Sequence, residues 1–85
     1  MSWTLRVANR AAKSLQRVPD KDRRRLLATL GEMEVDPFSG DIVRLQGETH
    51  TWRRRLGNYR ILFEISTQHL TVDVLDIARR TSTTY

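Results

Sequence analysis

The stretch that most constrains the fold is TWRRRLGNYRILFEI, which occupies residues 51–65. Apolar and polar residues alternate on each side of Gly57 and Asn58, and a repeat of two residues is typical of a β-strand. Glycine and asparagine tolerate the positive φ angles of a tight hairpin turn. The stretch therefore predicts two antiparallel strands, at 50–56 and 59–65, joined by a two-residue turn.

Helical periodicity precedes this hairpin. Residues 3–8 alternate as a first strand, and the chain then changes to an apolar repeat of three or four residues. The repeating apolar residues are Ala12, Leu15 and Val18, followed by Leu26, Leu27, Leu30 and Met33. We expect Asn9 and Asp20 to cap two helices, the second over residues 21–35, because such side chains accept hydrogen bonds from free backbone amides. The Asp-Pro pair that follows ends the second helix.

A last strand is predicted at residues 69–77, after a turn at 66–68. Its apolar residues fall on two faces, with Leu70, Val72 and Val74 on one and Leu75 and Ile77 on the other. The 85 residues suit a single domain, 1–85, in the order β-α-α-β-β-β. We therefore expect an α+β fold in which a two-helix hairpin packs on a compact antiparallel sheet of about four strands.

Positive charge is the feature of the composition that bears most on function. Fifteen lysines and arginines face ten acidic residues, for a net charge of +5, and only Lys13 and Lys21 are lysines. The planar guanidinium group matches phosphate geometry, so this balance favours an anionic partner such as nucleic acid or an acidic protein. The chain has no cysteine and no apolar run long enough to cross a bilayer, and we expect a cytoplasmic protein.

The arginines of the predicted hairpin divide between its two faces. Alternation puts Arg54 in phase with the apolar residues, where its side chain would snorkel at the edge of the core. The residues predicted to converge on the opposite, open face are Arg53, Arg55 and Arg60, joined by Arg79 or Arg80. A single acid, Glu48, lies between residues 44 and 60. Repulsion among these arginines favours an anionic ligand, although exposed strand arginines also serve solubility.

Other kinds of site find little support in the sequence. The two histidines, His50 and His69, are far apart and lack carboxylate partners at metal-ligand spacing. Glu32 and Glu34 lie two residues apart on a helix, so they point in different directions and are expected to be solvated. Arginine and tyrosine remain, and both suit chemistry on phosphate. Guanidinium groups stabilise transition-state charge, and Tyr85 is the candidate for proton transfer.

In RLGNYRILF, and in IARR followed by Tyr85, the sequence resembles the RelE/ParE superfamily of bacterial toxin–antitoxin toxins over most of its length. The resemblance implies a RelE-like, ribosome-dependent endonuclease that cleaves mRNA in the ribosomal A site. In that reaction the 2′-OH attacks the adjacent phosphate and leaves a 2′,3′-cyclic phosphate and a 5′-OH. The resemblance also implies a cognate acidic antitoxin, the ribosome and mRNA as partners, and no metal, cofactor or membrane.

The resemblance assigns roles to individual residues. The implied catalytic residues are Arg53, Arg55, Arg60, Arg80 and Tyr85. Arg60 and Arg80 would hold the scissile phosphate, and Tyr85 would act as a base or stack on a nucleobase. Arg53 and Arg55 would stabilise charge or assist proton transfer, while Arg44 and Arg79 are expected to bind RNA. RelE-type sites often carry lysines where this chain has arginines, which rarely exchange protons, so the acid and the base stay unassigned.

Two other functions share this fold. A ParE-like toxin would bind DNA gyrase and cut nothing, and a non-catalytic binding module would have neither activity. The arginines together with Tyr85 favour the nuclease over the gyrase inhibitor. Mapping transcripts after induction of the chain distinguishes these functions, because cuts within translated codons indicate the nuclease. Intact mRNA with induction of the DNA-damage response indicates the gyrase inhibitor.

Overall fold

The computed structural model of the chain describes residues 3–45, 47 and 51–79. The elements are β1 (Thr4–Val7), α1 (Asn9–Arg17), α2 (Asp20–Val35), β2 (Ile42–Arg44), β3 (Thr51–Leu56), β4 (Tyr59–Ser66) and β5 (Thr71–Arg79). All five strands form one sheet in the order β1-β5-β4-β3-β2. The α+β class and its helical hairpin are confirmed. Within the described ranges, no helix is long and apolar enough to span a bilayer.

The sheet is larger than expected and is not fully antiparallel. β1 pairs with β5 in parallel, whereas the pairs β2–β3, β3–β4 and β4–β5 are antiparallel. The helical hairpin leads the chain away from β1, and β5 later returns beside β1 in the same direction, as parallel pairing of distant strands requires. β2 is the additional strand, and its three residues are too few to show an alternation in the sequence.

The core lies between α2 and one face of the sheet. Its fully buried side chains include Leu26 and Met33 of α2 and Ile61, Phe63, Val72 and Val74 of the sheet. Leu27, predicted to face the core, is 50% exposed, and that prediction was wrong. Thr29 takes the inward position instead, and its hydroxyl donates to the carbonyl of Arg25 at 3.0 Å, which satisfies the buried oxygen.

Both predicted helix caps were wrong by one residue. Asn9 and Asp20 are the first helical residues, and the N-cap positions belong to Ala8 and Pro19, which provide no side-chain cap. Asp20 still favours α2, because a carboxylate in the first turn of a helix interacts well with the helix dipole. Extended backbone at Pro19 separates the two helices.

A β-bulge in β5 changes which side chains face the core. Leu62 lies opposite Asp76 and Phe63 lies opposite Val74, so Leu75 is the extra residue. The prediction that Ile77 points away from Val74 was therefore wrong, since Ile77 is buried in the same core. Leu70 was also misassigned, because it has a positive φ of 53° and belongs to the turn before β5.

Candidate functional site

The β3–β4 hairpin brings the predicted arginines to one face of the sheet. Arg55 lies directly opposite Arg60, and Arg53 lies opposite Leu62. Directly opposed residues have their Cβ atoms only about 4.5–5.5 Å apart. We call the sheet face that carries these arginines, away from the core, the open face. Its other residues include Leu62, Glu64, Asp73, Asp76 and Ala78.

Two carboxylates of the open face, Asp73 and Asp76, are already paired with arginines outside the hairpin. Arg6 donates through Nε and Nη2 to both oxygens of Asp73, at 2.7 and 3.0 Å. Arg10 of α1 lies 3.4 Å from Asp76. Neither pair was predicted, because Asp73 and Asp76 are distant in sequence from Arg6 and Arg10. The charge compensation therefore concerns the β1–β5 half of the face and leaves the hairpin half basic.

The hairpin arginines of the open face, Arg53, Arg55 and Arg60, have no such compensation. In residues 3–45 and 51–79, the four ion pairs involve other basic residues, namely Arg6, Arg10, Arg23 and Arg54. Arg55 is exposed, whereas Arg53 and Arg60 are half-buried. Nε of Arg53 is buried without a hydrogen-bond partner among the described atoms. A buried donor without an acceptor is costly, so an anion bound at Arg53 would relieve this cost.

Arg54 belongs to the other side of the sheet. It is 8% exposed and pairs through Nη2 with Glu32 of α2, at 2.6 Å. Gly40 passes directly over the guanidinium group with a φ of 81°, and a Cβ at this position would lie 2.7 Å from Cζ of Arg54. The side chain is thus buried rather than snorkelling at the core edge. Glu32 is exposed, as the sequence predicts, but its ion pair with Arg54 was not predicted, because the sequence does not show which strand residue α2 meets.

Tyr59 anchors the turn end of the hairpin to α2. Its ring is buried in the core, and its hydroxyl donates to Asp22 at 2.7 Å. This hydrogen bond, followed by burial, raises the pKa of Tyr59 above its ordinary value, while nearby Arg79 and Arg25 act in the opposite direction. Tyr59 therefore stays protonated at neutral pH and serves as a packing residue of the core.

Two of the other predicted residues, Arg44 and Arg79, do not join the open face. Arg44 lies opposite Trp52 and Arg79 lies opposite Tyr59, which places both on the helix side of the sheet. The bulge in β5 sets the orientation of Arg79, so simple alternation from the sequence could not give it. Arg80 and Tyr85, together with His50, lie outside the described residues.

The arrangement suits phosphate binding better than proton transfer. Three guanidinium groups share the basic half of the open face, and guanidinium groups remain protonated. His69 lies at the opposite, acidic end, where it lines a cavity of about 370 Å³ with Glu64 and Asp73. Among the described side chains, no three potential metal ligands come together. The described part of the open face can therefore bind and polarise an anion.

Comparisons with known proteins agree with this fold. The RelE–RelB complex of the archaeon Pyrococcus horikoshii has a chain 24% identical, with a TM-score of 0.84, covering 98% of this chain and 100% of that chain. A chain of the RelBE2 toxin–antitoxin complex from Mycobacterium tuberculosis is 26% identical, with a TM-score of 0.83, covering 94% of this chain and 100% of that chain. The isolated Escherichia coli RelE toxin is 19% identical, with a TM-score of 0.83 and coverage of 98% and 89%.

Sequence comparison identifies the family directly. No protein with a curated description matches the chain in sequence. The model of the ParE toxin family of the type II toxin–antitoxin system parDE matches residues 5–83, which is nearly the whole chain. The chain therefore belongs to this toxin family of type II toxin–antitoxin systems, within the RelE/ParE superfamily.

Proposed function

We propose that this toxin is a RelE-like endoribonuclease that cuts mRNA in the ribosomal A site. The observation that carries the proposal is the cluster of Arg53, Arg55 and Arg60 on the open face. None of the three forms an ion pair within the described residues. Such charge opposed across a strand pair is unfavourable unless an anion binds, and an RNA phosphate supplies that anion.

The proposed reaction is an internal transfer at one RNA phosphate. The 2′-oxygen forms a bond to phosphorus, its proton passes to a base, and the bond from phosphorus to the 5′-oxygen breaks. That 5′-oxygen takes a proton from an acid, which leaves a 2′,3′-cyclic phosphate and a 5′-OH. Arg55 and Arg60 would stabilise the charge that develops on the non-bridging oxygens. Their fixed positions on paired strands make this stabilisation effective, since no reorganisation is needed.

The residues beyond β5 supply the remaining proposed roles. Arg79 lies on the helix side, and Arg80 is the proposed contact to the scissile phosphate. Tyr85 is the proposed proton-transfer or base-stacking residue. Both assignments rest on the sequence resemblance. An Arg80→Gln variant should therefore lose more toxicity than an Arg79→Gln variant.

An acidic antitoxin is the proposed protein partner, and the expected cellular location is the cytoplasm. The Mycobacterium tuberculosis relative is a toxin–antitoxin complex, and a similar structure from Methanococcus jannaschii is a RelB–RelE antitoxin–toxin complex. In this chain the basic half of the open face offers an acidic segment the same guanidinium groups as it offers RNA. We expect antitoxin binding to weaken with salt and to compete with RNA.

Transcript mapping after induction tests the nuclease directly. Wild-type chain should produce cuts within translated codons, found by primer extension, and should arrest growth. Arg60→Ala should restore growth while the purified variant remains folded, because Arg60 lies on the open face and not in the core. A folded Arg60→Ala variant that stays fully toxic would show that the site is wrongly assigned.

One observation favours a second candidate. The family model that matches residues 5–83 is that of ParE toxins, whereas the RelE likenesses rest on folds with at most about one quarter identity. A ParE-like toxin would inhibit DNA gyrase without cutting RNA. Intact transcripts, with the DNA-damage response induced in the same cells, would establish this function in place of the nuclease.

A further inference from the structure

A basic groove runs along the edge of the sheet beside the open face. The β1–β5 ladder ends where the amide of Ala8 donates to the carbonyl of Val74, at 2.9 Å. From there α1 takes the place of a neighbouring strand and packs along the second half of β5. Two adjoining cavities, of about 360 and 250 Å³, lie along this contact. We call them together the α1–β5 groove.

Cations dominate the lining of the α1–β5 groove. Its charged residues are Arg10, Lys13, Arg17, Asp76 and Arg79. The only carboxylate in that set, Asp76, is paired with Arg10 at 3.4 Å. Lys13, Arg17 and Arg79 take part in none of the ion pairs within residues 3–45 and 51–79. Charges of one sign around a concave surface reinforce one another, unlike the same charges spread over a convex helix face.

The α1–β5 groove is continuous with the open face through Ala78. Ala78 lies directly opposite Arg60 on the open face, and it also lines the groove beside Arg17. Its side chain is a methyl group, so nothing bulky separates the hairpin arginines from α1. At the far end, the hydroxyl of Ser14 and the apolar side chains of Val18 and Pro19 line the cavity with Arg79.

The lining of this far end suits a nucleotide unit. The guanidinium groups of Arg17 and Arg79 are donors for a phosphate, and the apolar residues provide a surface for a ribose or base. Asp22 accepts a hydrogen bond of 2.7 Å from Tyr59 and is not among the residues that line the groove. A uniformly anionic polymer therefore fits the α1–β5 groove without meeting a free acid among the described residues that line it.

We infer that the α1–β5 groove binds the sugar–phosphate backbone of the RNA strand that flanks the segment on the open face. The inference rests on the proposed function, since it takes the open face as the place where RNA is cut. The strand would pass over Ala78 and place successive phosphates at Lys13, Arg17 and Arg79. The α1–β5 groove thus lengthens the RNA site beyond the hairpin and adds affinity without contacting the scissile phosphate.

Binding of single-stranded oligonucleotides of two lengths to the full chain tests this inference. The probes are a trinucleotide and a dodecanucleotide with 2′-deoxy sugars, which cannot be cleaved by 2′-OH attack. Wild-type chain should bind the longer probe more tightly. A Lys13→Gln/Arg17→Gln variant should lose this preference. For the longer probe, the slope of log affinity against log salt should fall by about 0.7 for each lost phosphate contact.

A matched control and a site variant make the result decisive. Lys21→Gln/Arg24→Gln removes the same charge from exposed positions of α2, away from the α1–β5 groove, and should keep the length preference. Arg60→Gln should weaken binding of both probes, and if it does not, the proposed function fails rather than the groove. Equal affinity of wild-type chain for the two probes, including no binding of either, would overturn the inference. So would a groove variant that behaves as the control, or one that loses only antitoxin affinity.

Discussion

The charged guanidinium group of Arg54 is buried on the apolar side of the sheet. Glu32 accepts a hydrogen bond from only one of the three nitrogens of that group. Nη2 donates to Glu32, but Nε and Nη1 are buried without partners in the described structure. Glu32 itself is 61% exposed at its side chain, so its own desolvation is small. Most of the cost of this ion pair therefore lies on the arginine.

The asymmetry of this pair predicts opposite outcomes for two substitutions. Glu32→Gln should lower the free energy of unfolding by about 1–3 kcal/mol, because it leaves the buried guanidinium without a charged acceptor. Arg54→Met should be near neutral or stabilising, because it removes the unpaired donors and keeps much of the volume. Urea unfolding of the two variants measures both effects. An Arg54→Met variant less stable than Glu32→Gln would contradict this assignment of the cost.

Residue orientation was predictable wherever strand alternation was unbroken. The faces of Arg53, Arg54, Arg55 and Arg60 follow from the period of two, and the register of the hairpin confirms them. The face of Arg79 did not follow, because the extra residue at Leu75 reverses the alternation after it. The ion pair between Arg54 and Glu32 could not be predicted either, since the sequence does not show which residues of α2 and β3 are in contact.

Helix α1 depends on an arginine that belongs to the next helix. Arg23 of α2 donates to the carbonyls of Leu15, Gln16 and Val18, at 3.0, 3.0 and 2.9 Å. The last carbonyls of a helix lack partners within it, so this guanidinium group satisfies the end of α1. Asp20, at 2.6 Å from Nη1, holds the side chain in place. The turn between the helices is therefore fixed by one side chain.

Loss of this contact should affect α1 more than other elements. Arg23→Gln should lower the free energy of unfolding by about 1–3 kcal/mol, because half-buried carbonyls lose a charged donor. Hydrogen exchange should become faster in α1, and urea unfolding gives the change in stability. Arg24→Gln, at the next position and exposed, is the control and should change stability by less than about 0.5 kcal/mol. Equal effects of the two substitutions would show that Arg23 does not fix the turn.

At the level of elements, strong periodicity was informative and short segments were not. The helical hairpin and the β3–β4 hairpin follow from long runs of regular pattern, and both are present. β2 has three residues and no visible pattern, so only its pairing with β3 defines it. The parallel arrangement of β1 and β5 depends on where the helices return the chain, which local pattern does not specify.

In the whole molecule, charge is separated along the sheet. Asp73 and Asp76 neutralise Arg6 and Arg10 on the β1–β5 side, and Glu64 and Asp73 are directly opposed at the end of β4 away from the turn. The net charge of +5 predicts an anionic partner, but it does not predict this separation. The separation arises because strands distant in sequence are neighbours in the sheet, and it concentrates uncompensated charge at the hairpin.

Because of this separation, we expect repulsion between the arginines of the open face to lower the free energy of unfolding of the free toxin. Arg55→Gln should raise the free energy of unfolding by about 0.2–1 kcal/mol at low salt, because it removes like charges opposed across β3 and β4. The gain should shrink as salt screens the repulsion, and toxicity should fall in the same variant. Urea unfolding at two salt concentrations and growth after induction measure these effects.

Arg44→Gln is the matched control for Arg55→Gln. Arg44 is also an exposed strand arginine, but it lies opposite Trp52 rather than another cation. It should give no salt-dependent gain in stability. If Arg55→Gln also gives none, the two guanidinium groups do not repel each other in the free chain. Anion binding would then no longer be needed to explain why both residues occupy one face.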